Sequence, residues 1–111
     1  MLLSKDAIMS TSDLPTEVVE VKQWGGSVKV RGMNAGERDT FEEAIRKHGM
    51  ANLRSLMASM TIINEDGSRM FTDKEVNKLS EKSAEALDTI IEVASRLSGL
   101  TDSDVEVLEG N

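Results

Sequence analysis

Residues 17–45, EVVEVKQWGGSVKVRGMNAGERDTFEEAI, decide the fold. Val19 and Val21 alternate with Glu20 and Lys22, and Val28 and Val30 alternate with Lys29 and Arg31. A period of two marks strands with one buried face. Trp24, Gly25 and Gly26 separate the runs, and glycine admits the positive φ of a tight hairpin turn. Gly32, which closes the second run, reads as a further turn residue. Beyond it the period changes. Asn34 is a helix cap, Glu37 three residues on completes a capping box, and Phe41 and Ile45 share one helical face. The stretch predicts a β-hairpin whose apolar face is covered by the helix that follows it, since a two-stranded hairpin is marginal alone in water.

Toward the N-terminus, Ser4 is an N-cap for a short helix over 4–11 carrying Ile8 and Met9. Asp13-Leu14-Pro15 ends it, because the residue before proline avoids the α region. Toward the C-terminus, the helix over 35–48 offers the acid-first pairs Glu42–Arg46 and Glu43–Lys47. Arg46, Lys47 and His48 suit its C-terminal dipole and Gly49 its cap. Met50, Leu53, Met57 and Met60 predict a second helix over 50–61, with Leu56 beside them. Thr61-Ile62-Ile63, a β-branched run, the turn Asn64-Glu65-Asp66-Gly67, and Arg69-Met70-Phe71 predict a smaller hairpin. Thr72-Asp73-Lys74-Glu75 is a capping box before a short helix with Val76 and Leu79 inward. Ser83 caps the clearest helix, over 84–98, with Leu87, Ile90, Ile91, Ala94 and Leu97 on one face and an exposed Glu92–Arg96 pair. Gly99 stops it. Thr101-Asp102-Ser103-Asp104 opens a final turn or two carrying Val105 and Leu108.

The expected fold class is α+β and helix-dominated: small hairpins packed against about four to six helices. The 111 residues make one domain, with residues 1–15 as an N-terminal arm and 101–111 as an acidic segment expected to be mobile. A net charge of −7 disfavours nucleic acid and anionic membrane and suits basic or neutral partner surfaces. No cysteine is present, so disulfides, thiol chemistry and zinc–thiolate sites are excluded. No apolar run reaches the roughly 20 residues of a membrane span. Residues 1–6 do not read as a signal peptide.

Catalytic and metal readings are weak. His48, the sole histidine, stands at a helix end with no orienting partner and no nucleophile. Reading Asn64–Gly67 as a calcium loop puts Ile62 where a carboxylate is required and Asp73 where glutamate is usual. The glycines open no phosphate loop. The acids fall on solvent faces and in first helical turns. No catalytic, cofactor or metal residue is therefore assigned. Trp24, at a hairpin tip, is either a ring folded over the core edge or an exposed anchor of the type enriched at interfaces.

Several motifs in order carry a resemblance: Leu14-Pro15-Thr16-Glu17 before the first strand, Trp24 through Gly32, Gly36-Glu37-Arg38-Asp39, Asp66-Gly67 with Phe71-Thr72-Asp73, and Arg96-Leu97-Ser98-Gly99-Leu100. In this order the chain resembles the tail assembly chaperones of long-tailed bacteriophages and prophages. The resemblance implies a non-enzymatic protein of the host bacterial cytoplasm that is absent from the mature virion. Its implied partners are the tape-measure protein, which it keeps soluble, and the tail tube subunits it recruits. It brings no catalytic residues. Weak homo-oligomers are expected, with Trp24, Leu100, Val105 and Leu108 as partner-binding candidates. The alternative function is a small acidic adaptor or inhibitor that occupies a basic surface on a host or phage protein.

Overall fold

The structure, a computed structural model, describes residues 1–100. The expected turn over 101–108, with Val105 and Leu108, lies outside the described residues. The architecture is α+β with helix dominant: five α-helices and a three-stranded antiparallel sheet among the described residues.

Strands β1 (Thr16–Val21) and β2 (Gly26–Arg31) form the expected hairpin, with Val19 opposite Val28 and Val21 opposite Gly26. A 3-10 turn, Lys22–Trp24, connects them, and Gly25 closes it at φ +71°. The third strand, β3 (Ile62–Ile63), adds to the far side of β2, with Ile62 opposite Val30. The smaller hairpin is thus reduced. Ile63 makes one bridge to Arg69, and the Met70 N–H donates to the Ile62 carbonyl at 3.0 Å, but 69–71 forms no strand. The backbone groups of β3 are shared with β2 instead.

Helix α1 (Lys5–Ser10) is capped by Ser4, whose Oγ accepts the Ala7 N–H at 3.1 Å. It buries none of its residues. Helix α2 (Ala35–His48) starts on the predicted capping box: the Glu37 N–H donates to Asn34 Oδ1 at 2.8 Å, and Glu37 Oε1 accepts the Asn34 N–H at 3.0 Å. Gly49, at φ +62°, ends it. Helix α3 (Leu53–Thr61) begins later than the spacing predicts. Asn52 sits in the left-handed region at φ 59°, which breaks the helical path and leaves Met50 exposed. Thr72 opens a 3-10 turn and then α4 (Val76–Leu79). Helix α5 (Ala84–Leu97) is capped by Ser83 and buries Leu87, Ile90, Ile91 and Ala94. Its exit is a Schellman-type reversal. Gly99, at φ +73°, donates to the Arg96 carbonyl, and Leu100 donates to that of Ser95.

The core lies between the sheet and two helices. Val19, Val21, Val30 and Ile62 point from the sheet toward Ile90, Ile91 and Ala94 of α5, and Leu53, Met57 and Met60 of α3 complete it. It is therefore α5 that covers the hairpin. Helix α2 packs on α3 instead, contrary to the sequence expectation, with Phe41 buried as its contribution.

Candidate interaction site

Trp24 ends the 3-10 turn that connects β1 and β2. Its ring is half-buried and packs on the core edge. The opposite wall comes from the segment after the 64–67 turn. Phe71 precedes the capping box, in which the Thr72 N–H donates to Glu75 Oε1 at 2.9 Å. That box sets the start of α4 and so aims Lys78 outward while Leu79 goes inward and is buried. Lys82 follows just before α5. The result is an open cleft of about 250 Å³ with Trp24 and Phe71 as aromatic walls, Leu79 at the base, and Glu75, Lys78 and Lys82 around the rim.

Two lysines and one carboxylate give the rim its electrostatics. The N–H of Thr72 on Glu75, with Lys78 nearby, holds that carboxyl below its ordinary value, so it is anionic at neutral pH. Neither Lys78 nor Lys82 forms an ion pair within the described residues. The lining thus combines two aromatic rings and Leu79 with two lysines and one carboxylate. The sequence signal for the second wall was present: Phe71, then Lys74, Lys78 and Lys82 at four-residue steps.

The other candidates fall elsewhere. Leu100 packs on the core just beyond the C-terminal end of α5 and does not line the cleft. Val105 and Leu108 are outside the described residues. His48 is exposed in the last turn of α2. Asp66 Oδ1 accepts both the Ser68 N–H (2.9 Å) and the Ser68 hydroxyl (2.6 Å), as a turn residue does, and these bonds hold its carboxyl below the ordinary value. No cluster of three potential metal ligands occurs among the described residues, and none of their helices is long and apolar enough to cross a membrane.

One acid departs from the expected solvated setting. The Glu37 and Arg31 side chains are only 12% and 11% exposed, and Arg31 grips the carboxylate with two N–H donors at 2.7 and 3.0 Å. Burial alone would raise the Glu37 pKa. The Arg31 guanidinium and the Asn34 N–H outweigh it and hold the group below its ordinary value. A carboxylate locked ionised in this way ties β2 to α2 and is a poor proton donor.

No protein-family model matches the chain, and no curated protein matches it in sequence. In three dimensions it is similar to the structure of the bacteriophage HK97 tail assembly chaperone, with a TM-score of 0.68 and 16% identity over 88% of this chain and 95% of that one. At that identity the likeness establishes a shared fold.

Proposed function

We propose that this chain is a non-enzymatic phage tail assembly chaperone. The observation that carries the reading is the fold shared with the HK97 chaperone over nearly the full length of both chains. The ordered motifs from Leu14-Pro15 to Arg96–Leu100 point the same way. In this reading the chain binds a long helical tape-measure protein in the bacterial cytoplasm, keeps it from aggregating, helps recruit tail tube subunits, and leaves before the virion is complete. The Trp24–Phe71 cleft is the proposed seat for an apolar side chain of that helix, and Lys78 and Lys82 favour acids beside it. Leu100, Val105 and Leu108 are proposed as further partner contacts.

Co-expression with a long helical tape-measure protein tests this. The partner is expected in the soluble fraction with this chain and in the pellet without it. Equal solubility in both cases overturns the reading. The net charge of −7 favours a second reading, an acidic adaptor or inhibitor on a basic surface. Capture of a basic partner that is lost in moderate salt, with no effect on the helical protein, would select it.

A further inference from the structure

Helix α3 starts without help from a side chain. Asn34 and Ser83 cap α2 and α5, but the Asn52 side chain accepts no N–H from α3. The Leu53 N–H reaches the Met50 carbonyl only at 3.4 Å, and the Leu56 N–H goes to the Asn52 carbonyl at 2.9 Å. Between them, the N–H groups of Arg54 and Ser55 have no acceptor among the described residues. This first turn lines a pocket of about 180 Å³, whose other wall is Lys82, Ala84 and Leu87 at the start of α5. Ser55 is the informative side chain, at 2% exposure. Other core serines find acceptors: Ser59 donates to the Leu56 carbonyl at 2.7 Å, and Ser95 to the Met57 sulfur at 3.6 Å. The Ser55 hydroxyl makes no hydrogen bond with the described residues, yet none of their polar side-chain atoms is sealed away without a partner. What little exposure Ser55 keeps is therefore at its hydroxyl, which opens on the pocket.

We infer that this pocket binds one oxyanion group, a carboxylate or a phosphate. Donors converge on it: the Arg54 and Ser55 N–H groups, the Ser55 hydroxyl and the Lys82 ammonium. Among the described residues no acid lines it. Lys82 has no ion-pair partner among them either. Asp88 holds Arg54 at the pocket edge through the Nε–H, with Oδ1 at 2.6 Å, and both Nη groups stay open to a ligand. Donors withheld from water without an acceptor cost free energy, which a bound anion recovers. The dipole of α3 places partial positive charge at the same end. Size limits the ligand. The pocket holds the volume of roughly six waters, enough for one such group and less than the roughly 300 Å³ of a site for a drug-sized molecule. The net charge of −7 repels anions from most of the surface, so this cluster of donors is where one is held. The group has two sources. Lys82 also stands on the rim of the Trp24–Phe71 cleft, so a protein seated there brings an acidic side chain to the pocket. Free phosphate is the other. The inference does not depend on the chaperone reading.

Amide NMR titration of the full chain tests this, with chloride exchanged for the probe at constant ionic strength. Inorganic phosphate and acetate are expected to shift the Arg54 and Ser55 amide signals, and the shifts should saturate. Ser55→Ala and Lys82→Gln should each weaken phosphate binding by about threefold or more. Lys5→Gln makes the same change of charge on α1 and should leave binding as it was. Lys82 is exposed, so its variant folds as the parent does and decides the test even if Ser55→Ala is unstable. A capped peptide with two glutamates beside a leucine separates the sources. If it binds about tenfold more tightly than acetate and its glutamine version does not, the group is a partner's carboxylate. If phosphate binds more tightly than the peptide, the group is a phosphate. Shifts that never saturate overturn the proposal. So do saturating shifts that miss residues 53–55, and so does phosphate binding unchanged in both variants. Solubilisation of the helical protein is a separate measurement, so failure of the chaperone reading and failure of the anion site are distinguishable.

Discussion

Gly32 lies directly against the carbonyl of Leu97, the last residue of α5. A methyl group on Gly32 would come within 2.9 Å of the Leu97 carbonyl carbon and closer still to its oxygen. The backbone is held there from both sides: the Gly32 N–H donates to the Pro15 carbonyl at 3.0 Å, and the Met33 N–H donates to Ser98 Oγ at 2.8 Å. Three distant parts of the chain meet at this point, and only a residue without Cβ fits. Gly32 is thus a close-approach glycine and not, as its place in the sequence implied, a turn glycine, since its φ is not positive.

Gly32→Ala is therefore expected to destabilise the fold by about 1–3 kcal/mol, because the clashing atoms are backbone and cannot rotate away. Thermal unfolding should shift down by about 4 °C or more. A variant as stable as the parent would show that α5 slides freely on the β2–α2 connection.

The Arg31–Glu37 pair makes stability depend on acid. The Glu37 pKa is lowered in the fold, so the stability it contributes is fully present above the unfolded-state value and is lost as pH falls through the folded-state value. Glu37→Gln should cost on the order of 3 kcal/mol at pH 7, since Arg31 then keeps a charge with no counterpart. The gap between variant and parent should narrow below about pH 4. Urea midpoints at pH 7 and pH 3.5 measure both effects, and a gap independent of pH would contradict the assignment.

Leu87 is buried at the centre of the α5 stripe. Leu87→Ala should cost roughly 2–5 kcal/mol. A loss under about 1 kcal/mol in chemical denaturation would mean that this face yields to water and is a partner surface.

Trp24 is the only tryptophan, so its emission reports on the aromatic cleft alone. Binding of an apolar partner segment should shift that emission to the blue. Lys78→Glu with Lys82→Glu should weaken partner capture several-fold yet change stability by no more than about 0.5 kcal/mol per site, as exposed positions do. Capture unaffected by the double substitution would place the binding surface elsewhere.

Calcium should leave the melting temperature where it is, and so should a chelator. The Asp66 carboxylate is already engaged by Ser68, which leaves the 64–67 turn complete as a hydrogen-bonded unit. A rise of several degrees with calcium would reverse this reading.

The elements whose signals are local were legible from residue order. Asn34 with Glu37, Ser83 before α5, Ser4 before α1, and the valine alternation around Trp24 each involve groups within a few positions of one another. Local chemistry therefore determines them. Trp24 was legible as the residue to watch, but the cleft was not, since Phe71 and Lys82 reach it only through the path of the chain. Ion pairs show the same limit. Glu42 takes Arg38 at 2.9 Å instead of Arg46, which turns to Glu43. Helical spacing allowed both choices. Arg96 leaves Glu92 and grips Glu17 on β1 with contacts of 2.9 and 3.0 Å, a partner that no spacing rule brings near. The sequence by itself determined that a hairpin had to be covered by an apolar helix. That the cover is α5 and not the adjacent α2 was decided in three dimensions. Helix α5 presents the broader buried stripe, and its C-terminal carbonyl finds at Gly32 a position without a Cβ, where backbone can approach backbone.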